Sequence, residues 1–67
     1  MATTRLGVQL KRLRIANGLT QVILAKRTRV TQGYIAQLER GLQKDPSLTV
    51  IRRLAKALKV SVGELLK

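Results

Sequence analysis

QVILAKRTRVTQGYIAQLER, residues 21–40, is the stretch whose reading decides the fold. It reads as two short helices joined by a tight turn. The first runs from Gln21 to about Arg27, the turn is Thr28-Arg29-Val30, and Thr31 opens the second as its cap. Leu24, Val30, Ile35 and Leu38 fall where two helices crossing at a steep angle must bury a shared face. Ala25 is small where they come closest. At about 100° per residue, Ile35 and Leu38 of the second helix point inward, while Gly33, Ala36, Gln37 and Arg40 point out. Gln32 and Tyr34 lie on its flanks, with Tyr34 off the buried stripe.

Working outward, residues 1–4 have no periodic pattern and read as a loose arm, with Thr4 a cap for a helix from Arg5 to about Ala16. Leu6, Leu10 and Leu13 share one face of that helix at i, i+4, i+7. Asn17-Gly18 is a stop signal, because Gly accepts the left-handed conformation that closes a helix. Leu19 is placed to pack inward, and Thr20 caps the helix beginning at Gln21. Beyond Gly41, the linker LQKDPS leads to Ser47, a cap for a helix from Leu48 to about Leu58. Leu48, Ile51, Leu54, Ala55 and Leu58 form its inner stripe, and Ser61 caps a short last helix containing Glu64, Leu65 and Leu66. With Tyr34 the only aromatic, the expected core is aliphatic. It comprises Leu6, Leu10, Leu13, Leu19, Leu24, Ala25, Val30, Ile35, Leu38, Leu48, Ile51, Leu54, Leu58, Val60 and Leu65.

The composition narrows the chemistry. Fourteen Lys and Arg against three Asp and Glu give a formal charge of +11, which draws the chain to polyanions, nucleic acid first among them. Cysteine and histidine are absent, so disulfides, thiolate chemistry, zinc-finger sites and His-dependent catalysis are excluded. The carboxylates Glu39, Asp45 and Glu64 sit on different elements, so neither an enzyme nor a metal or other cofactor is expected. No apolar run approaches the roughly 18 residues of a membrane span, and the start lacks a secretory apolar segment. A cytoplasmic location is expected, on the nucleoid if the source is bacterial.

The chain resembles the Cro/phage-repressor (Xre-like) helix-turn-helix family. LGVQLKRLR (6–14) is similar to that family's first helix, GLTQ (18–21) to the entry of its second, and LERG (38–41) to the exit of its third. PSLTVIRRLAKALKVSVGELL (46–66) is similar to its last two helices. Departures are Val22 and Ile23 at usually polar positions, Arg29 and Lys59 where glycine is preferred, and a linker one residue longer than is common. The resemblance implies an all-α, compact five-helix, lambda-repressor-like fold. Residues 1–67 would form a single domain with the helix-turn-helix at 21–40. It further implies sequence-specific binding of double-stranded DNA as a transcriptional repressor, with helix 31–40 in the major groove and a homodimer reading two half-sites.

By position in the family motif, Gln32, Gly33, Tyr34 and Gln37 are the expected base-reading residues. A Gln amide donates and accepts at once, matching the N7/N6 edge of adenine. Gly33 either permits close backbone approach, lets Tyr34 lean across the groove floor, or is merely tolerated. Phosphate contacts are expected from Gln21, Arg29, Thr31, Arg40 and Lys44, whereas Arg52, Arg53 and Lys56 read as solvated surface. Arg29 either takes a left-handed conformation or the turn differs. The family often pairs the positions of Arg14 and Glu39; the alternative is an Arg14 that meets phosphate directly. Val8, Ile15, Val22 and Ile23 form a candidate protein-partner patch, and Val62 with Leu66 a candidate dimer surface, unless all are scattered surface hydrophobes. Two rival functions remain at this level: an antitoxin-like protein–protein module that binds DNA secondarily, and a basic amphipathic peptide acting on anionic membrane or RNA.

Overall fold

The computed structural model of the chain describes residues 5–43 and 45–67. The expected arm, the Thr4 cap and Lys44 lie outside the described residues. Five helices follow one another, with no strand among the described residues: α1 (Arg5–Ala16), α2 (Gln21–Thr28), α3 (Gln32–Arg40), α4 (Leu48–Ala57) and α5 (Val62–Leu65).

Each helix start from α2 to α5 is set by a hydroxyl. Thr20, Thr31, Ser47 and Ser61 have extended backbones, and their side-chain oxygens accept from the amides of Ile23, Tyr34, Val50 and Glu64 at 3.0–3.2 Å. These bonds satisfy amides that have no partner within the helix. The ends of α1 to α4 share a second device. Gly18, Arg29, Gly41 and Lys59 take positive φ of 70°, 61°, 78° and 61°. The following residue then donates its amide five residues back, as Val30 to the Ala25 carbonyl at 3.1 Å and Val60 to that of Ala55 at 3.0 Å. This is the left-handed helix closure that glycine favours. Arg29 adopts it too, so the turn keeps its geometry without the glycine.

The helices enclose Leu10, Leu24, Ile35, Leu38, Leu54, Leu58 and Leu65, all essentially inaccessible, with the smaller Ala25 and Ala55 buried among them. Leu6, Leu13, Leu19, Val30, Ile51 and Val60 pack around that centre half-buried. Packing joins α1 to α3 and α5, α2 to α3 and α4, and α4 to α5.

Three expectations change. Leu48, expected in the core, is 54% exposed: it is the first residue of α4, and the buried residues of that helix, Leu54 and Ala55, lie further along it. Thr28, expected in the turn, ends α2 fully buried, with its hydroxyl donating to the Leu24 carbonyl at 2.7 Å. That back-bond satisfies a polar group the aliphatic interior would otherwise penalise. Tyr34, expected off the buried stripe, is half-buried against the core cluster.

Candidate nucleic-acid interface

Helix α3 is amphipathic by construction. Ile35 and Leu38 are buried on one side, while Gln32, Gly33, Gln37 and Arg40 are exposed on the other. Its only carboxylate, Glu39, is 7% exposed and turned into the protein. Arg14 Nε lies 2.6 Å from Glu39 Oε2, and Arg14 Nη2 donates to Oε1 at 3.2 Å. Arg14 Nη1 is occupied as well, donating to the Leu19 carbonyl at 2.8 Å. Arg14 is therefore spent on holding α1, the α1–α2 turn and α3 together. The consequence is electrostatic: the outward face of α3 carries the positive charge of Arg40 and no free carboxylate.

The network continues toward the amino end of α3. Gln21 Nε2 donates to Glu39 Oε1 at 3.1 Å, and Gln32 Nε2 donates to Gln21 Oε1 at 3.2 Å. Gln21 and Gln32 are the first residues of α2 and α3, so the bond links the two helix starts. Gln32 keeps its second Nε2 hydrogen and its Oε1 acceptor, the pair that an adenine edge requires. Sequence alone gives Gln21 and Gln32 separate tasks; nothing in an eleven-residue separation signals that they touch.

The other expected residues fall into different settings. Thr31 Oγ1 accepts from the Tyr34 amide, which leaves its own hydrogen free to donate outward. Gln37 and Arg40 project from the exposed face, one turn further along. Arg29 faces a cavity lined by Arg27, Arg53, Lys56, Ala57 and Lys59. Gly33 has an ordinary helical backbone, and a Cβ added to it would meet nothing nearer than Thr31 Oγ1 at 3.9 Å. The protein's own packing thus leaves room for a side chain there. Gly33→Ala should raise stability by about 0.5–1 kcal/mol through helix propensity, read as a shifted urea midpoint with unchanged m-value.

Elsewhere, Val8 and Ile15 (54% and 59% exposed) line a shallow groove with Lys11, Arg12 and Glu39. Val22 and Ile23 are exposed on the first turn of α2, outside that groove. The four apolar residues do not line one pocket together.

A helix opened by Thr31 and packed on α2 after a short turn, with its polar side exposed, is the arrangement by which a second helix reaches into a groove. A profile of the helix-turn-helix family matches residues 10–65. The chain belongs to the helix-turn-helix family. Within it, the match is of the Cro/phage-repressor kind. The HTH-type transcriptional regulator SinR of Bacillus subtilis is 33% identical over 61 residues, covering 91% of this chain and 55% of SinR. The chain thus spans about half the length of that curated relative. An uncharacterized HTH-type transcriptional regulator of Sinorhizobium fredii is 41% identical over 59 residues, covering 88% of this chain and 75% of its own. Among solved structures, SinR in complex with DNA superposes with a TM-score of 0.87 at 32% identity, over 92% of this chain and 98% of that one. The restriction-modification controller protein C.AhdI from Aeromonas hydrophila gives 0.84 at 38% identity, over 90% and 89%. This helix-turn-helix protein is thus similar along almost its whole described length to DNA-binding regulators.

Proposed function

We propose that this helix-turn-helix protein binds double-stranded DNA sequence-specifically in the cytoplasm, on the nucleoid of a bacterial host, as a transcriptional repressor acting by occupancy. Helix α3 lies in the major groove, Gln32, Gly33, Tyr34 and Gln37 face base edges, and Gln21, Arg29, Thr31, Arg40 and Lys44 meet phosphates. The observation that carries this reading is the chain of bonds from Arg14 through Glu39 and Gln21 to Gln32. It removes the one carboxylate of α3 from the polar face and orients a base-reading amide before DNA arrives. Pre-orientation lowers the entropic cost of docking.

Two copies, meeting through Val62 of α5 and Leu66 just beyond its end, read half-sites about one helical turn apart. A protein partner would seat on the groove of Val8 and Ile15.

Selection from a randomised duplex pool, followed by fluorescence anisotropy on the enriched and scrambled duplexes, tests the reading. A shared, roughly two-fold motif is expected; equal affinity for every duplex sinks it. Gln37→Ala should cost about 1–3 kcal/mol against the preferred site while leaving scrambled DNA unchanged, so that discrimination at one base position collapses. Full retention of base choice in that variant removes Gln37 from the reading set.

A further inference from the structure

The carboxyl ends of α2 and α4 meet around a shallow cavity of about 470 Å³ whose walls are Arg27, Arg29, Arg53, Lys56 and Lys59, with Ala57 between them. All five cations are exposed, and none of the chain's three carboxylates lines the cavity. None of Gln32, Gly33, Gln37 or Arg40 lines it either, so it is a different face from the groove-facing side of α3. Two helix carboxyl ends supply about half a negative charge each, roughly one against five. Within a single cavity the spacing is too short for salt to screen the remainder.

A second observation points the same way. Four helices close through a left-handed residue, and two of them use glycine for it. The other two use Arg29 and Lys59, and of the four closing residues only these two line the cavity. At both places the chain accepts an unfavourable backbone conformation and gains a cation at the same site.

We propose, resting on the DNA-binding reading above, that this cavity is a second, sequence-independent phosphate-binding face that takes the backbone of duplex DNA, sharing only Arg29 with the phosphate contacts that flank the base-reading face of α3. Three guanidinium groups match phosphate bidentately, and two ammonium groups add point charge. A mononucleotide would find no aromatic or broad apolar wall for its base among the described residues, where Ala57 is the only apolar one lining the cavity. A duplex keeps its bases stacked within itself and offers one charge per about 3.4 Å along each strand, which suits an open row of cations.

The test combines Arg53→Ala, Lys56→Ala and Lys59→Gly in one variant. Alanine favours helix, and glycine suits the φ of 61° at position 59, so its Tm should not fall below that of the parent. Affinity for a duplex of scrambled sequence is then measured across a salt series. The slope of log K against log salt should become shallower by about 2–3, at roughly 0.9 for each phosphate no longer neutralised. A control, Lys11→Ala with Arg12→Ala on the Val8 groove, should change it by less than about 1. An unchanged slope in the first variant, or an equal loss per charge in the control, overturns the proposal. Protection by inorganic tripolyphosphate with an unchanged slope also overturns it, and assigns the cavity to a small anion instead. Failure of base reading would show differently, as lost sequence preference with the slope retained.

Discussion

Replacing Glu39 by alanine should cost about 3–5 kcal/mol, enough to leave much of the protein unfolded at 37 °C. The side chains of Arg14 and Glu39 are 12% and 4% exposed, so the pair is desolvated and depends on its mutual bonds. Glu39 Oε2 receives Arg14 Nε at 2.6 Å, and Oε1 receives both Arg14 Nη2 and Gln21 Nε2. Truncation leaves a guanidinium almost out of water with only the Leu19 carbonyl to answer it, and it frees Gln21 as well. An unpaired buried charge is the costly case, whatever the intact pair contributes on its own. A domain of this size has a total stability of about 3–10 kcal/mol. Thermal melts followed by circular dichroism should show Tm lower by more than about 12 °C, at roughly 4–8 °C per kcal/mol. The internal control is Glu64, whose ion pair with Lys67 spans 3.7 Å between side chains 43% and 73% exposed. Glu64→Ala should move stability by no more than about 0.5 kcal/mol, as exposed pairs do. A Glu39→Ala protein that melts with its parent would mean that the pair does not organise α1 against α3.

What the sequence disclosed and what it hid divide along a physical line. Helix starts were legible because a capping hydroxyl acts on an amide three residues away, and Thr20, Thr31, Ser47 and Ser61 all cap as their sequence positions imply. The buried stripe of α3 was legible because helical phase is a local property, and Ile35 and Leu38 follow it. Leu48 continues the stripe of α4 in phase yet is exposed, since phase does not say where the neighbouring helix stops. Thr28 reads as a polar turn residue because its satisfying partner is a carbonyl of its own helix, a bond composition cannot announce. The cationic cavity joins residues of 27–29 to residues of 53–59, and only tertiary packing of α2 on α4 brings them together. Arg29 and Lys59 did leave a trace in the sequence as cations standing where glycine is preferred. That their side chains share one cavity was not readable from it.

Gly7 is the residue that carried no local signal, and Gly7→Ala should be among the most damaging single changes in the protein. A lone glycine in the first turns of a helix is usually a small weakness, and alanine there improves propensity by about 0.5–1 kcal/mol. Here glycine is fully packed, and an added Cβ would lie 2.4 Å from the Leu38 carbonyl oxygen and 2.9 Å from that of Glu39. Both atoms are backbone of α3, so no flexible side chain can yield. To restore ordinary contact α1 must back away from α3 by about 1 Å, in an interior packed as densely as a crystal. That displacement also strains the bond from Arg14 to Glu39, whose own carbonyl is one of the two obstructing groups. Overpacking costs about 1–3 kcal/mol when side chains can shift, and more when only backbone can. Gly7→Ala should therefore lose about 3 kcal/mol or more in urea titration, and Gly7→Val should prevent folding. Gly33→Ala, the same chemical change on an open helix face, should gain stability. Opposite signs for one substitution at two glycines isolate the tertiary term from helix propensity. A Gly7→Ala protein as stable as its parent would mean that α1 and α3 do not touch there.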